Sequence, residues 1–261
     1  MSAADLDPSR LATSLRTHAF GRSVEVHEAT GSTMDDARRA ASADAPHGHL
    51  VLADAQTNGR GTHGRSWVSP RGTDLYFSLV TRPKVSLAEI GPLTLAVGLG
   101  VADGIALFVD PERVRLKWPN DVYVDGRKCA GILVESRSLG DKLDAVVVGV
   151  GINVNRLEFP DEIAAQATSI ALALAEPVDR LEVLSRVLER LEAYFDRFVR
   201  EGAAPIVRAV DMRLLYRGER VRLDDLEGVL VGVDEDGGIR LATESGETTR
   251  LAGRLELVNA R

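Results

Sequence analysis

The alternation of apolar and polar residues changes period several times along this chain, and each change predicts an element. "GSTMDDARRAASAD", residues 31–44, reads as a helix entered through a polar turn. Ser32 or Thr33 can cap it, and Asp35 and Asp36 fall in the first turn, where acids favour the helix dipole. "HLVLADAQ", 49–56, is a short apolar run of strand type. "DLYFSLVTRP", 74–83, sets Leu75, Phe77 and Leu79 against Asp74, Tyr76 and Ser78, the period of a strand with one buried face. Ser86 and Glu89 have capping-box spacing and open a helix predicted to reach Phe108. Strands are predicted over "RVRLKW", "DVYVDG", "AGILVES" and "LDAVVVGVGINVN". Between two of these, "DGRK", 125–128, reads as a tight hairpin turn, because Asp-Gly takes the positive φ it needs.

From Pro177 onward, Leu181, Leu184, Leu188, Leu191, Phe195 and Phe198 recur at steps of three and four, marking a long amphipathic helix. A shorter helical stretch, "PIVRAVDMRLLY", leads to Gly218. Beyond it the period falls to two, with turns at "DEDGG" and "ESGE", the pattern of a small C-terminal β-barrel. The expectation is an α+β fold whose mixed sheet is mainly antiparallel. It divides into a main domain over 1–215 and a C-terminal β domain over 216–261.

Composition narrows the function. With 27% charged and 44% hydrophobic residues, the 261-residue chain has the make-up of an ordinary soluble protein. Its net charge of -7 supplies no global basic field, so any phosphate chemistry must be local. Cys129 is the sole cysteine, which excludes an intrachain disulfide or cysteine-rich zinc cluster and fits the cytoplasm; it reads as a small buried thiol. "MSAADLDPSRLA" lacks the apolar core of a signal peptide. Ile90 to Val109 holds one charge, Asp103, and has Gly100 and Gly104 in G-x-x-x-G spacing, as a membrane span can. Pro92, Asp103 and the absence of basic flanks favour a buried core helix. His18, His27, His47 and His49 show no metal-ligand spacing.

One loop carries the candidate chemistry. In "QTNGRGTHGRSW", 56–67, Gly59, Gly61 and Gly64 match G-x-G-x-x-G. A dinucleotide turn must open a helix, whose N-terminus carries the pyrophosphate, whereas here Pro70 and Gly72 precede another strand. A kinase reading also fails, for want of H-R-D and D-F-G elements. What remains is physical: glycines let backbone amides approach an anion, and Arg60 and Arg65 add charge and forked donors. Two further polar clusters sit where a sheet should be apolar. "LKWPNDV", 116–122, gathers Lys117, Trp118, Asn120 and Asp121 around a proline, and "RKCAGILVE", 127–135, places Lys128 near Gly131. Three such clusters at sheet edges suggest a shared site.

Taken in order, "GST", "QTNGRGTHGRSW", "KWPND", "RKCAGILVE" and "GVGINVN" span Thr30 to Asn155, and with them the chain resembles the biotin protein ligases. The resemblance implies the class II synthetase-like biotin/lipoate ligase fold with an SH3-like C-terminal β-barrel. It implies that Ser32, Thr33, Met34, Gln56, Arg60, Gly61, Thr62, Lys128 and Gly131 bind biotin. For the adenylate and ATP it implies Arg60, Arg65, Trp67, Lys117, Trp118, Asn120 and Asn153. Lys128, Asp121, Arg60 and Asn120 are the implied catalytic group.

The implied substrates are biotin and ATP, with Mg2+ for which no ligand set is assigned. Biotin would be activated to biotinyl-5'-AMP, then transferred to a lysine on the biotin carboxyl carrier domain of acetyl-CoA carboxylase or a related carboxylase. Asp121 would orient or deprotonate that lysine; the competing reading makes it a turn cap or a magnesium ligand.

Two departures from the family pattern matter. Only 31 residues precede Ser32, too few for the winged helix-turn-helix that some members carry. The expectation is therefore a ligase with no nucleic-acid or membrane partner, as a monomer or weak homodimer. Thr62 stands where the pattern has arginine, which implies weaker adenylate retention or compensation by His63 or Arg65. The rival readings are a lipoate or octanoate ligase of the same fold, and a non-catalytic biotin or nucleotide sensor. No motif assigns the adenine contacts.

Overall fold

A seven-stranded sheet forms the main layer of this computed structural model, which describes residues 6–139 and 142–258 and only the backbone at His63. Residues 1–5 of the stretch read above as lacking a signal peptide lie outside the described residues. Helix α1 (Pro8–Ser14) is capped by Asp7 and precedes strand β1 (Val24–His27) and helix α2 (Thr33–Ser42). The sheet continues with β2 (His49–Ala53), β3 (Leu75–Thr81), β4 (Val114–Lys117), β5 (Asp121–Val124), β6 (Arg127–Leu139) and β7 (Lys142–Ile152). Its order is β1-β2-β3-β7-β6-β5-β4, and only β1 and β2 run parallel. The mixed, mainly antiparallel sheet is the one expected. Asp125 and Gly126 take φ of 51° and 71° at the β5–β6 turn, as Asp-Gly allows.

Strand β3 departs from its alternating pattern: all seven of its residues are buried. It lies between β2 and β7 with layers on both faces, so Ser78 and Tyr76 are enclosed along with Phe77 and Leu79. Their polar groups are satisfied locally, Ser78 Oγ donating to Thr33 Oγ1 at 2.9 Å.

On one face of the sheet, helix α3 (Ile90–Ile105) packs against α6 (Arg180–Glu201), with Leu50, Leu52, Phe77, Val146 and Val148 beneath them in the same core. The Ser86–Glu89 capping box is present, although a 3-10 turn precedes α3 and the helix ends three residues short of Phe108. Gly100 and Gly104 have their explanation here. A Cβ on either would lie 2.7 Å from a backbone Cα of α6, at Leu191 and Val187 respectively, so the pair lets the two helices touch. Asp103 accepts the Tyr194 hydroxyl at 2.7 Å and pairs with Arg213. The apolar helix is thus a core helix, as Pro92 and Asp103 suggested.

The opposite face carries α2, which buries Met34, Ala37 and Ala41 against Val51, Val80 and Val147. Short helices α4 (Asp161–Ala164) and α5 (Ile170–Leu174) follow β7, and α7 (Ala204–Asp211) follows α6. The last residues of "PIVRAVDMRLLY" leave the helix because the backbone at Arg213 and Leu215 hydrogen-bonds to Leu116, covering the free edge of β4. Strands β8 (Arg220–Leu223), β9 (Leu226–Val233), β10 (Ile239–Thr243), β11 (Gly246–Arg250) and β12 (Leu255–Leu257) form an antiparallel sheet in the order β11-β10-β9-β8-β12. Its β9–β10 turn docks on the main body, where the Gly237 carbonyl accepts the Trp118 indole N–H at 2.9 Å.

Candidate active site

The site grows from three glycines. Along β7, Val146, Val148, Val150 and Ile152 enter the helical core, and the period of two sends Gly149 and Gly151 to the other face. Gly151 pairs with Gly131 of β6, so a patch of sheet is bare. A Cβ on Gly151 would lie 2.5 Å from the Trp67 indole and one on Gly131 2.8 Å, while on Gly149 it would lie 2.5 Å from Met34 Sδ. Glycine is required here because the Trp67 and Met34 side chains lie against the strands.

Helix α2 starts at the edge of this floor, and its N-terminus is capped in an unexpected way. Neither Ser32 nor Thr33 caps through its side chain. Instead Gln56 Oε1 accepts the Thr33 backbone N–H at 2.9 Å and lies 3.2 Å from its hydroxyl, while Gln56 Nε2 donates to Ser69 Oγ at 3.0 Å. A residue at the root of the glycine loop therefore replaces the local cap. The Ser32 hydroxyl, 1% exposed, is left without a hydrogen-bond partner on the cavity wall. An orphaned buried hydroxyl costs about 1–3 kcal/mol, which a polar ligand group would recover.

The glycine loop spans two antiparallel neighbours, β2 and β3, as the exclusion of a dinucleotide turn required. Gly59 has no room for a Cβ, which would sit 2.4 Å from the Trp67 carbonyl, and Gly64 has φ of 71°. Arg60 reaches Asp35 at 3.1 Å and Glu135 at 2.9 Å. Arg65 folds back on Thr62, to its carbonyl at 3.3 Å and its hydroxyl at 3.1 Å. The His63 side chain lies outside the described residues.

The remaining candidates divide into frame and charge. Asn120 Nδ2 donates to the Ile132 carbonyl at 2.6 Å, Asn153 Nδ2 to the Thr168 carbonyl at 2.9 Å, and Trp118 is 3% exposed. Asn120, not Asp121, thus ties the proline turn to β6. Lys128 Nζ stands 2.7 Å from Asp121 Oδ1 and 5.3 Å from the centre of the Trp67 ring. Lys117 Nζ lies 3.4 Å from the Tyr123 hydroxyl; burial pulls its pKa below the ordinary lysine value and pushes that of Tyr123 up.

All of these candidate residues line one cavity of about 780 Å3. Sequence reasoning missed part of its wall: Arg156, Phe159, Ile163 and Gln166 after β7, and Asp224 with Ala252 to Glu256 from the C-terminal sheet. These lie outside the motifs and arrive only through tertiary packing. The lining holds six cationic side chains, Arg60, Arg65, Lys117, Lys128, Arg156 and Arg254, against three carboxylates, Asp121, Asp224 and Glu256. In a chain of net charge -7 that is a local positive chamber suited to anions. Cys129 is buried with its thiol pKa pushed up, so it supplies no nucleophile. Among the described residues no group of three His, Cys, Asp or Glu side chains is placed to hold a metal ion.

A family model described as biotin/lipoate A/B protein ligase matches residues 26–153. Over 258 residues the chain is 33% identical to the bifunctional ligase/repressor BirA of Bacillus subtilis, covering 97% of this chain and 79% of that protein. It is 36% identical over 264 residues to the biotin acetyl-CoA-carboxylase ligase of Mycobacterium tuberculosis, with 95% of each covered. The biotin protein ligase of Aquifex aeolicus, solved in complex with biotin and ATP, superposes with a TM-score of 0.79 at 34% identity, over 92% of this chain and 100% of that one. The chain belongs to the biotin/lipoate A/B protein ligase family. Within that family it is a biotin protein ligase.

Proposed function

We propose that the cavity holds biotin and ATP together, the ureido ring at the α2 end and the nucleotide toward the C-terminal sheet. The enzyme activates biotin to biotinyl-5'-AMP with release of pyrophosphate, then transfers the biotinyl group to a lysine of a carboxylase's biotin carboxyl carrier domain. The observation that carries the residue assignment is that one cavity is lined both by the unpartnered, neutral Ser32 hydroxyl and by the charged Lys128–Asp121 pair. Ser32, Thr33 and Gln56 hold the ureido ring, and the Trp67 indole lying on the Gly131–Gly151 floor faces the bicycle.

Lys128 meets the carboxylate and the α-phosphate, both anionic, and offsets their repulsion. Lys117 and the flap arginines add to that field. Phe159 and Ile163 give a flat apolar face and Gln166 an amide, the chemistry an adenine base takes. With no protein cluster for a metal among the described residues, magnesium is assigned to the ATP complex rather than to a cage in the chain. The reading divides the chain into a catalytic unit, 1–215, and a C-terminal unit, 216–261, that closes the cavity.

The deciding test is mass spectrometry of a biotin carrier domain incubated with the protein, magnesium, ATP and either biotin or lipoate. One added biotinyl group, and no lipoyl group, is expected. No mass gain with biotin would overturn the assignment of acceptor and acid together.

Thr62 has a defined part in the flap, since its hydroxyl accepts from Arg65 Nη2 at 3.1 Å. Thr62→Arg removes that acceptor and adds a charge, so biotinyl-AMP release is expected to slow by about tenfold or more, the size of one charge-assisted hydrogen bond. Equal release rates would show that the position is inert.

A further inference from the structure

Arg156 belongs to none of the motifs that led to the site, yet it is 5% exposed and lines the cavity. Its Nε donates to Asp74 Oδ2 at 2.8 Å. Nη2 donates to the Val68 carbonyl at 2.7 Å and the Tyr76 hydroxyl at 3.2 Å. The guanidinium also stacks 5.2 Å from the centre of the Phe159 ring. Its own carbonyl accepts from Ser169 Oγ at 2.6 Å, the hydroxyl that caps α5.

Neutralising buried Asp74 needs a single cation, and a lysine would suffice. The bond to Val68 and the stack on Phe159 are additional, and they reach two separate segments of the cavity lining. Val68 follows Trp67, whose N–H donates to the Gly59 carbonyl at 2.9 Å and whose carbonyl accepts Ser69 Oγ at 3.0 Å. The Tyr76 hydroxyl lies 3.0 Å from the Pro70 carbonyl, two residues beyond Val68. Residues 67–70 are therefore the fixed root of the flap. Its tip, 60–66, is held by the Arg60 ion pairs and by the closing contacts between 61 and 65. Phe159 lines the cavity from the segment after β7.

We propose that Arg156 is a positioning residue that joins the flap root to the nucleotide-side wall, setting Trp67 on the glycine floor and Phe159 against the nucleotide. This rests on the two-substrate reading of the cavity. A planar fork makes these contacts at once; an ammonium satisfies Asp74 and loses the rest.

Arg156→Lys in the full chain tests it. The protein has two tryptophans, and Trp118 is buried, so acrylamide quenching reports mainly on Trp67. With biotin and α,β-methylene ATP bound, the variant is expected to show Trp67 quenching well above wild type. In turnover, KM for biotin and for ATP should each rise by about tenfold, the loss of roughly one charge-assisted hydrogen bond, while kcat changes far less because Lys128 is untouched. A folded variant with wild-type quenching and wild-type KM values overturns the proposal, even if its melting temperature falls. Should Arg156→Lys fail to fold, the double variant Asp74→Asn, Arg156→Met removes the buried charge with its partner and is held to the same two outcomes. Wild-type protein that binds neither biotin nor the nucleotide in the quenching assay would instead refute the two-substrate reading, leaving the two failures distinct.

Discussion

Lys128→Ala is expected to slow biotin-dependent ATP–pyrophosphate exchange by roughly 2–4 kcal/mol in transition-state terms, about thirty- to a thousandfold, with the protein still folded. The reacting carboxylate and α-phosphate repel each other, and the structure puts the Lys128 ammonium where the charged end of the glycine floor begins. Folding should survive because the side chain is about a quarter exposed and its fold contacts are backbone ones, to Gln166 and Thr168. The loss has two parts. Removing the ammonium takes away a favourable charge and also leaves the Asp121 carboxylate, 2.7 Å away in the wild type, facing two further anions. Lys128→Ala combined with Asp121→Asn should recover the second part, and the difference between the two variants measures it. Normal exchange by Lys128→Ala would remove Lys128 from activation altogether.

Asp121→Asn should separate the two chemical steps. Formation of biotinyl-AMP is expected to stay near normal, while transfer from preformed biotinyl-AMP to the carrier slows by about a hundredfold, the lower end of general-base contributions. The acceptor lysine must lose a proton before it attacks. Asp121 is the carboxylate at the floor, and the turn it follows is tied to β6 by Asn120, so its side chain is not spent as a cap. In the proposed role, phosphate engages Lys128 and frees the carboxylate, now paired with it at 2.7 Å, to face the incoming ammonium. The pH profile supplies the sign. Without Asp121 the lysine deprotonates only to solvent, so transfer by the variant should rise about tenfold per pH unit below the ordinary lysine pKa of about 10.4. A variant that transfers at the wild-type rate refutes the role of Asp121.

Much of the site was legible in the chain because its chemistry is local. The glycine loop, the proline turn and the lysine ahead of Gly131 are short segments whose residue types announce close backbone approach and fixed charge. They were read as one site from pattern alone, and they do line one cavity. Individual contacts were harder. Arg60 was expected to face the adenylate, and it pairs with Asp35 and Glu135, from α2 and β6. Ser32 sits at the N-cap position, but Gln56, twenty-four residues later, fills the helix-capping role. Asn120, Asn153 and Trp118 are expected ligand contacts by their motif, and each donates a hydrogen bond to a backbone carbonyl of the frame. A side chain's type shows what it is able to bond, and only packing decides which partner arrives first.

The elements follow the same division. The Asp-Gly hairpin, the capping box before α3 and the amphipathic α6 were set by local stereochemistry and periodicity, which act over a few residues. The full burial of β3 depended on its becoming a central strand, and the early end of α7 on the free edge of β4 taking up the following residues. Arg156, Phe159 and the C-terminal wall from Ala252 to Glu256 carry no local signal, since their meaning depends on Val68, Asp74 and the rest of the cavity lining. Sequence by itself determined the kind of chemistry, because an anionic adenylate demands glycine, lysine and arginine at short range. Tertiary structure alone decided which of those charges are free and which are already paired, because that depends on residues brought together from as far apart as Arg60 and Glu135.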